Sequence, residues 1–104
     1  MPGSRADTLR ALLEKRPDDL RLRFGLAVEY LSSGQLEEGV AELQTYLEVA
    51  DDEGNGWGRL GAALRELGRE EEARAAFTRG VEVAERHGHP TMAQEFREEL
   101  EVEG

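Results

Sequence analysis

The chain has 104 residues, of which 13 are Lys or Arg and 23 are Asp or Glu, so its formal net charge near neutral pH is -10. This balance argues against nucleic acid and anionic membrane surfaces as partners, because contact with phosphate groups requires a concentrated basic surface. The absence of cysteine excludes disulfides and thiolate metal sites, and without a signal segment or a membrane-length apolar run we expect a cytoplasmic protein.

The first predicted helix covers residues 5 to 16. Ser4 or Asp7 could cap its N-terminus, because both side chains can accept a hydrogen bond from the first turn. Pro17 ends it, since the residue before a proline disfavours the helical conformation. Its apolar stripe consists of Leu9, Leu12 and Leu13.

Four central helices are predicted from apolar residues that recur at intervals of three and four. We expect them near residues 19 to 33, 36 to 50, 55 to 67 and 70 to 87. Gly34 and Gly68 separate the members of each pair, where glycine can adopt the left-handed conformation that ends a helix. Each pair is therefore predicted to form a helical hairpin. Acidic residues begin the second helix of each hairpin, where carboxylates complement the helix dipole; they are Glu37, Glu38 and Glu70 to Glu72.

The last predicted helix lies near residues 91 to 102, with Thr91 as its expected cap. Its apolar residues are embedded among glutamates, which predicts a solvent-facing lid; they are Ala93, Phe96 and Leu100. His87 and His89 precede this helix, but two histidines one residue apart, without a third ligand at fixed spacing, indicate a turn and not a metal site. The chain is thus expected to be all-α, with six helices and no metal or other cofactor.

The central part of the chain repeats with a period of 34 residues, since residues 20 to 53 align with residues 54 to 87. Identical pairs include Leu26 with Leu60 and Gly34 with Gly68. We expect a single domain over residues 1 to 104. It would consist of an N-terminal half unit (5 to 19), two repeats (20 to 53 and 54 to 87) and a C-terminal capping helix (88 to 104).

The second repeat resembles the tetratricopeptide repeat family. The residues that carry the resemblance are Trp57, Leu60, Gly61, Leu64, Gly68, Ala73 and Phe77. The resemblance implies a right-handed α-solenoid, in which Gly61 and Ala73 are small where two helices cross. The first repeat departs from the family pattern, with Arg23 at the usual Trp position, Gly39 at an Ala position and Tyr46 at a small-residue position.

The resemblance also implies that a partner peptide or helix binds along the first helix of each repeat, on the concave face. The corresponding positions are Arg21, Phe24, Val28 and Leu31 in the first repeat, and Asn55, Gly58, Ala62 and Arg65 in the second. Phe24, Val28 and Leu31 form an apolar strip, which is either a ligand groove or core covered by the N-terminal helix. The Lys and Asn residues with which some family members grip a C-terminal carboxylate are absent from these positions.

Glycine is unusually frequent at the start of the fourth helix, at positions 54, 56, 58 and 61. Each interior glycine costs up to ~1 kcal/mol relative to alanine, so we expect a frayed first turn. One interpretation is a groove floor that a partner's backbone approaches closely, with Asn55 offering its amide. The other is a loose turn in which only Gly61 has a packing role.

Charge is distributed unevenly along the chain. Residues 5 to 23 include six basic and four acidic residues, whereas residues 24 to 58 include eight acidic and no basic ones. The acidic block is either a solvated face or a surface that steers a basic partner, and the basic segment could meet the acidic block of another copy.

The resemblance implies a non-enzymatic protein-protein interaction adaptor or scaffold. The sequence has no nucleophile paired with a base and no phosphate-binding loop, so these features give no indication of an enzyme. The first alternative is a self-associating structural protein that forms a homo-oligomer through its apolar strip or its ends. The second alternative, which the sequence supports less, is an enzyme or a metal-binding protein. Arginine outnumbers lysine twelve to one, which is typical of a GC-rich bacterial genome.

Overall fold

The computed structural model describes residues 4–102, which form six α-helices in two compact units that divide between Ala50 and Asp51. The first unit contains α1 (Arg5–Lys15), α2 (Leu20–Ser32) and α3 (Leu36–Val49). The second contains α4 (Asn55–Glu66), α5 (Glu70–Arg86) and α6 (Pro90–Glu101). Over the described range there is no strand, so the all-α prediction is confirmed, and every helix end lies within one residue of its predicted position.

Local sequence signals account for several of the helix ends. Gly34 and Gly68 both adopt a φ of +79°, the left-handed conformation expected between the helices of each hairpin. At the start of α1, Ser4 Oγ accepts a hydrogen bond from the Asp7 amide at 3.1 Å, and the Asp7 carboxylate accepts one from the Ser4 amide at 3.3 Å. Both candidate caps therefore act together as a capping box.

The prediction that Thr91 caps α6 is wrong. The helix begins one residue earlier, at Pro90, and its flanking residue His89 makes no side-chain cap hydrogen bond. Proline suits the first helical position because its φ is already helical and its missing N–H would have no partner within the helix. Thr91 is therefore inside the first turn.

In the first unit, α1 and α3 both pack against α2. The contact with α1 is a cluster of buried side chains, Ala6, Leu13, Leu26 and Tyr30, with Leu9 and Leu22 packed against it. On the α3 side, Gly39 approaches α2 so closely that a Cβ at this position would collide with the Leu31 side chain. Leu43 of α3 and Leu26 of α2 are fully buried.

In the second unit, α5 packs against both α4 and α6. A Cβ at Gly61 would lie 2.9 Å from the Phe77 ring, so the predicted close crossing of α4 and α5 is present. From α6, the Phe96 ring packs on Gly58 and Gly80, where a Cβ would lie 2.6 Å and 2.8 Å from it. Phe96 also contacts Phe77, with 5.9 Å between ring centroids. None of the described helices is long and apolar enough to cross a membrane.

Candidate partner-binding surface

The apolar strip of Phe24, Val28 and Leu31 lies along one face of α2. Asp19 starts this helix, because its Oδ1 accepts hydrogen bonds from the amides of Arg21 at 3.0 Å and Leu22 at 3.2 Å. From that start, residues 24, 28 and 31 are spaced four and three apart and share a face. All three side chains are half-buried, and Arg21 is exposed at the same end of α2 as the cap.

The strip lies apart from the contact between α1 and α2. The α2 residues in that contact are Leu22, Leu26 and Tyr30, and none of the strip residues belongs to the cluster. Helical spacing puts those three residues on the opposite side of α2 from the strip.

The strip instead borders α3. The Phe24 ring contacts the Tyr46 ring, with 5.0 Å between centroids and 50° between planes. Leu31 packs over Gly39. The bulky Tyr46, which departs from the family pattern, thus supports Phe24 from the neighbouring helix.

On α4, the four predicted site residues have different environments. Asn55 and Ala62 are exposed. Gly58 lies beneath Phe96 of α6, so a partner's backbone could approach it only after that ring moved. Arg65 is half-buried and engaged with neighbouring helices.

The glycines at the start of α4 are packing positions, which corrects the expectation that only Gly61 has a packing role. Gly54 has a φ of +130°, and a Cβ there would lie 2.6 Å from the Met92 sulfur of α6. Gly58 carries the Phe96 ring. The absence of side chains at Gly54 and Gly58 therefore allows α6 to pack closely against the start of α4.

The first turn of α4 is held by Asp52, a residue that the sequence pattern does not single out. Asp52, only 9% exposed, accepts hydrogen bonds through Oδ1 from the amides of Gly54 at 2.8 Å and Gly56 at 2.9 Å. The expected frayed turn is thus a capped one. The available signal was an aspartate two residues before a glycine, where the side chain can bond to the following backbone.

Arg65 connects all three helices of the second unit. Its Nε and Nη2 donate to the two carboxylate oxygens of Glu70 at 3.0 Å and 2.8 Å, and its Nη1 donates to Glu99 Oε1 at 2.8 Å. Its guanidinium lies 5.1 Å from the Phe77 ring centroid. The hydrogen bond from Arg65 holds the pKa of Glu70 below its ordinary value. Arg65 is therefore a tie between helices in addition to a candidate contact residue.

Both histidines lie near carboxylates of the acidic segment before α4; His89 forms a hydrogen bond there, whereas the buried His87 Nε2 has no hydrogen-bond partner among the described residues. His89 Nε2 lies 2.6 Å from Glu53 Oε1, and this hydrogen bond lowers the pKa of Glu53. His87 Nε2 lies 3.3 Å from Asp51 Oδ1. Within residues 4–102, no group of three or more His, Asp or Glu side chains is arranged to hold a metal ion.

Comparison with known proteins agrees with the hairpin architecture and its small-residue crossings. The tetratricopeptide repeat profile matches residues 2–100. A TPR repeat-containing protein of Pseudomonas aeruginosa is 34% identical over 88 residues, which cover 85% of this chain and 84% of the relative. A Bordetella parapertussis protein of known solution structure superposes with a TM-score of 0.80 at 26% identity, over 94% of this chain and 85% of that one. The chain therefore belongs to the tetratricopeptide repeat family.

Proposed function

We propose that this protein is an adaptor or scaffold that binds a helix or extended peptide of a partner protein along the strip on α2. Tetratricopeptide repeat proteins are generally protein-protein interaction modules. The observation that carries the proposal is the half-buried apolar strip of Phe24, Val28 and Leu31, on the side of α2 away from α1. A partner that buried these side chains fully would gain the hydrophobic free energy that folding leaves unused.

The second unit, taken by itself, offers further candidate contacts at the exposed residues of α4. Asn55 can donate and accept hydrogen bonds through its amide, and Ala62 offers a small apolar surface. Gly58 and Arg65 have partners on α6 already, so we assign them a supporting role.

The charge of the chain favours a basic partner. Residues 24 to 58 contain eight acidic and no basic residues, and exposed carboxylates there include Glu38 and Glu48. Attraction of this kind acts on the association rate and is screened by salt.

The proposal is tested by two variants that each introduce one glutamate, the first on the strip and the second at an exposed position away from it. The full chain is used to capture its partner from cells that express it natively, and the partner's affinity is then measured with purified proteins. Val28→Glu puts a carboxylate into the apolar contact, so we expect the partner to be lost. Gln44→Glu adds the same charge at an exposed position of α3 and should retain it.

A second variant protects this test from a folding defect. Ala62→Glu alters an exposed residue of α4 and should weaken binding while leaving the helical circular dichroism spectrum unchanged. If both Val28→Glu and Ala62→Glu bind the partner with unchanged affinity, the partner binds to another surface of the protein. Phe24 and Arg65 are poor choices for this experiment, because their contacts with Tyr46 and Glu70 contribute to the fold.

A further inference from the structure

We propose that Asn55 is a site of spontaneous deamidation, and that the fold prevents the reaction until the first turn of α4 opens. Asn55 is the sole asparagine of the chain, and the residue that follows it is Gly56. The Asn55 side chain is exposed at the start of α4, whereas Gly56 is buried. This reaction belongs to the chain itself and requires no partner.

Deamidation joins the asparagine side chain to the main-chain nitrogen of the next residue. Gly56 N attacks Cγ of Asn55, so that a new C–N bond closes a five-membered succinimide ring. The bond from Cγ to Nδ2 breaks, and ammonia leaves with the proton that Gly56 N has lost. Water then opens the ring at either of its carbonyls, which gives aspartate or isoaspartate. Glycine favours the ring closure because it has no Cβ to crowd the attacking nitrogen.

The closed turn opposes the ring closure through the backbone of Asn55. This residue is the first of α4. Ring closure requires a rotation about its Cα–C bond, away from the helical ψ of about −42°. Asn55 therefore has to leave the helix before its side chain can react.

The closed turn also engages the attacking nitrogen. Gly56 N donates to Asp52 Oδ1 at 2.9 Å, and the same oxygen accepts a hydrogen bond from Gly54 N at 2.8 Å. Asp52 is only 9% exposed, so its carboxylate is a fixed acceptor inside the turn. Removal of the Gly56 proton would leave a negative charge beside this carboxylate, and like-charge repulsion disfavours that state. Asp52 thus protects the bond between Asn55 and Gly56.

Opening of this turn is therefore the step that admits the reaction. Helix ends open locally at a lower free energy than the whole domain unfolds. The native rate of deamidation should equal the rate in the unfolded chain multiplied by the fraction of molecules in which the turn is open.

The two products have different effects on α4. Aspartate leaves the main chain unchanged and puts a carboxylate in the first turn, where the helix dipole favours it. Isoaspartate adds a methylene to the main chain before Gly56, which displaces Gly56 N from Asp52. We expect isoaspartate to loosen the start of α4, where Gly54 and Gly58 pack against α6.

The site is located by incubating the full-length protein in mildly alkaline buffer. Isoaspartate is measured by enzymatic methylation of the new carboxylate and is assigned by mass spectrometry of the peptide that contains residue 55. We expect it to form in the native protein, and faster in protein unfolded with urea. Asn55→Gln should give no signal, because a glutamine side chain has to close a larger ring. Isoaspartate that persists in Asn55→Gln, or none in the unfolded chain, would overturn the assignment.

Hydrogen exchange tests the gating without any substitution. The opening that admits ring closure also exposes the Gly56 N–H to water. The ratio of the deamidation rates in unfolded and native protein should therefore match the protection factor of that amide. A protection factor far larger than the rate ratio would show that the reaction proceeds in the closed turn, contrary to the proposal.

A matched pair of variants tests the role of Asp52. Asp52→Ala removes the acceptor and should accelerate deamidation about two- to thirtyfold, the change in the open fraction that the loss of a helix cap produces. Asp51→Ala removes the same charge from the exposed neighbour and should leave the rate within about twofold. If Asp52→Ala retains its helical circular dichroism spectrum and deamidates at the original rate, Asp52 does not protect the site. If that variant fails to fold, the exchange comparison on the original protein still decides whether the turn gates the reaction.

Discussion

Gly61 illustrates how a single missing side chain determines a helix crossing. An ideal Cβ at this position would lie 2.9 Å from two ring atoms of Phe77, a distance that real Cβ contacts essentially never show. Phe77 is buried and its ring is rigid, so it cannot yield as the end of a flexible side chain would. The backbones of α4 and α5 are therefore close because residue 61 is glycine.

We predict that Gly61→Leu strongly destabilises the protein. Overpacking of a core costs ~1–3 kcal/mol, and ~1 kcal/mol shifts the Tm of a domain of this size by ~4–8 °C, so a Tm decrease of about 10 °C is expected. The control is Ala62→Leu, the same side chain added at the adjacent, exposed residue, which should change the Tm little. Thermal unfolding followed by circular dichroism measures both; equal Tm values for the two variants would refute the assigned crossing.

The packing role of Gly61 could be predicted from the sequence, whereas those of Gly54 and Gly58 could not, and the difference is physical. Gly61 belongs to a hairpin whose two helices are adjacent in the repeat, so the period predicts its neighbours. Gly54 and Gly58 contact Met92 and Phe96 of α6, which lies outside the repeat, and no period relates them. The strip on α2 remains a prediction, because its interpretation depends on a partner.

At the scale of helices, Arg65 links α4 to α5 and α6 through side-chain hydrogen bonds, in addition to the apolar packing between these helices. It projects from the last turn of α4 and donates to Glu70 in the first turn of α5 and to Glu99 near the end of α6. Its guanidinium also covers the Phe77 ring. The sequence pattern predicts the three helices, but side-chain bonds between their ends depend on how the helices pack, which local periodicity does not contain.

We predict that Arg65→Met destabilises the second unit by about 1–2 kcal/mol, because charged hydrogen bonds contribute more than neutral ones while partial exposure reduces their net value. Arg21→Met, which replaces an exposed arginine, should stay within about 0.5 kcal/mol of the original protein. Urea unfolding followed by circular dichroism gives both free energies of unfolding. A variant at position 65 as stable as the one at position 21 would show that the tie contributes nothing.

At the scale of the whole molecule, stability should depend on acidic pH in a defined direction. The pKa values of Glu53, Glu70 and Glu72 are lowered from 4.5 by hydrogen bonds with His89, Arg65 and Arg69 respectively. Well above pH 4.5 these carboxylates are ionised in the folded and unfolded chains alike, so their stabilising contribution is complete. As the pH falls below 4.5, the unfolded chain binds protons first, and the contribution is lost progressively until the pH passes the folded pKa values.

We therefore predict that the contribution of these three carboxylates to the Tm is constant down to about pH 5 and then falls with acidification. The net charge of -10 works in the opposite sense, because protonation relieves repulsion among the carboxylates. The two effects separate in salt: at ~0.15 M the Debye length is ~8 Å, so distant repulsion is screened while pairs in contact are screened less.

Glu70→Gln isolates the contribution of one carboxylate, since the glutamine amide binds no proton. Its Tm should fall less steeply below pH 4.5 than that of the original protein, and an identical slope would show that the Arg65–Glu70 pair does not couple folding to protonation.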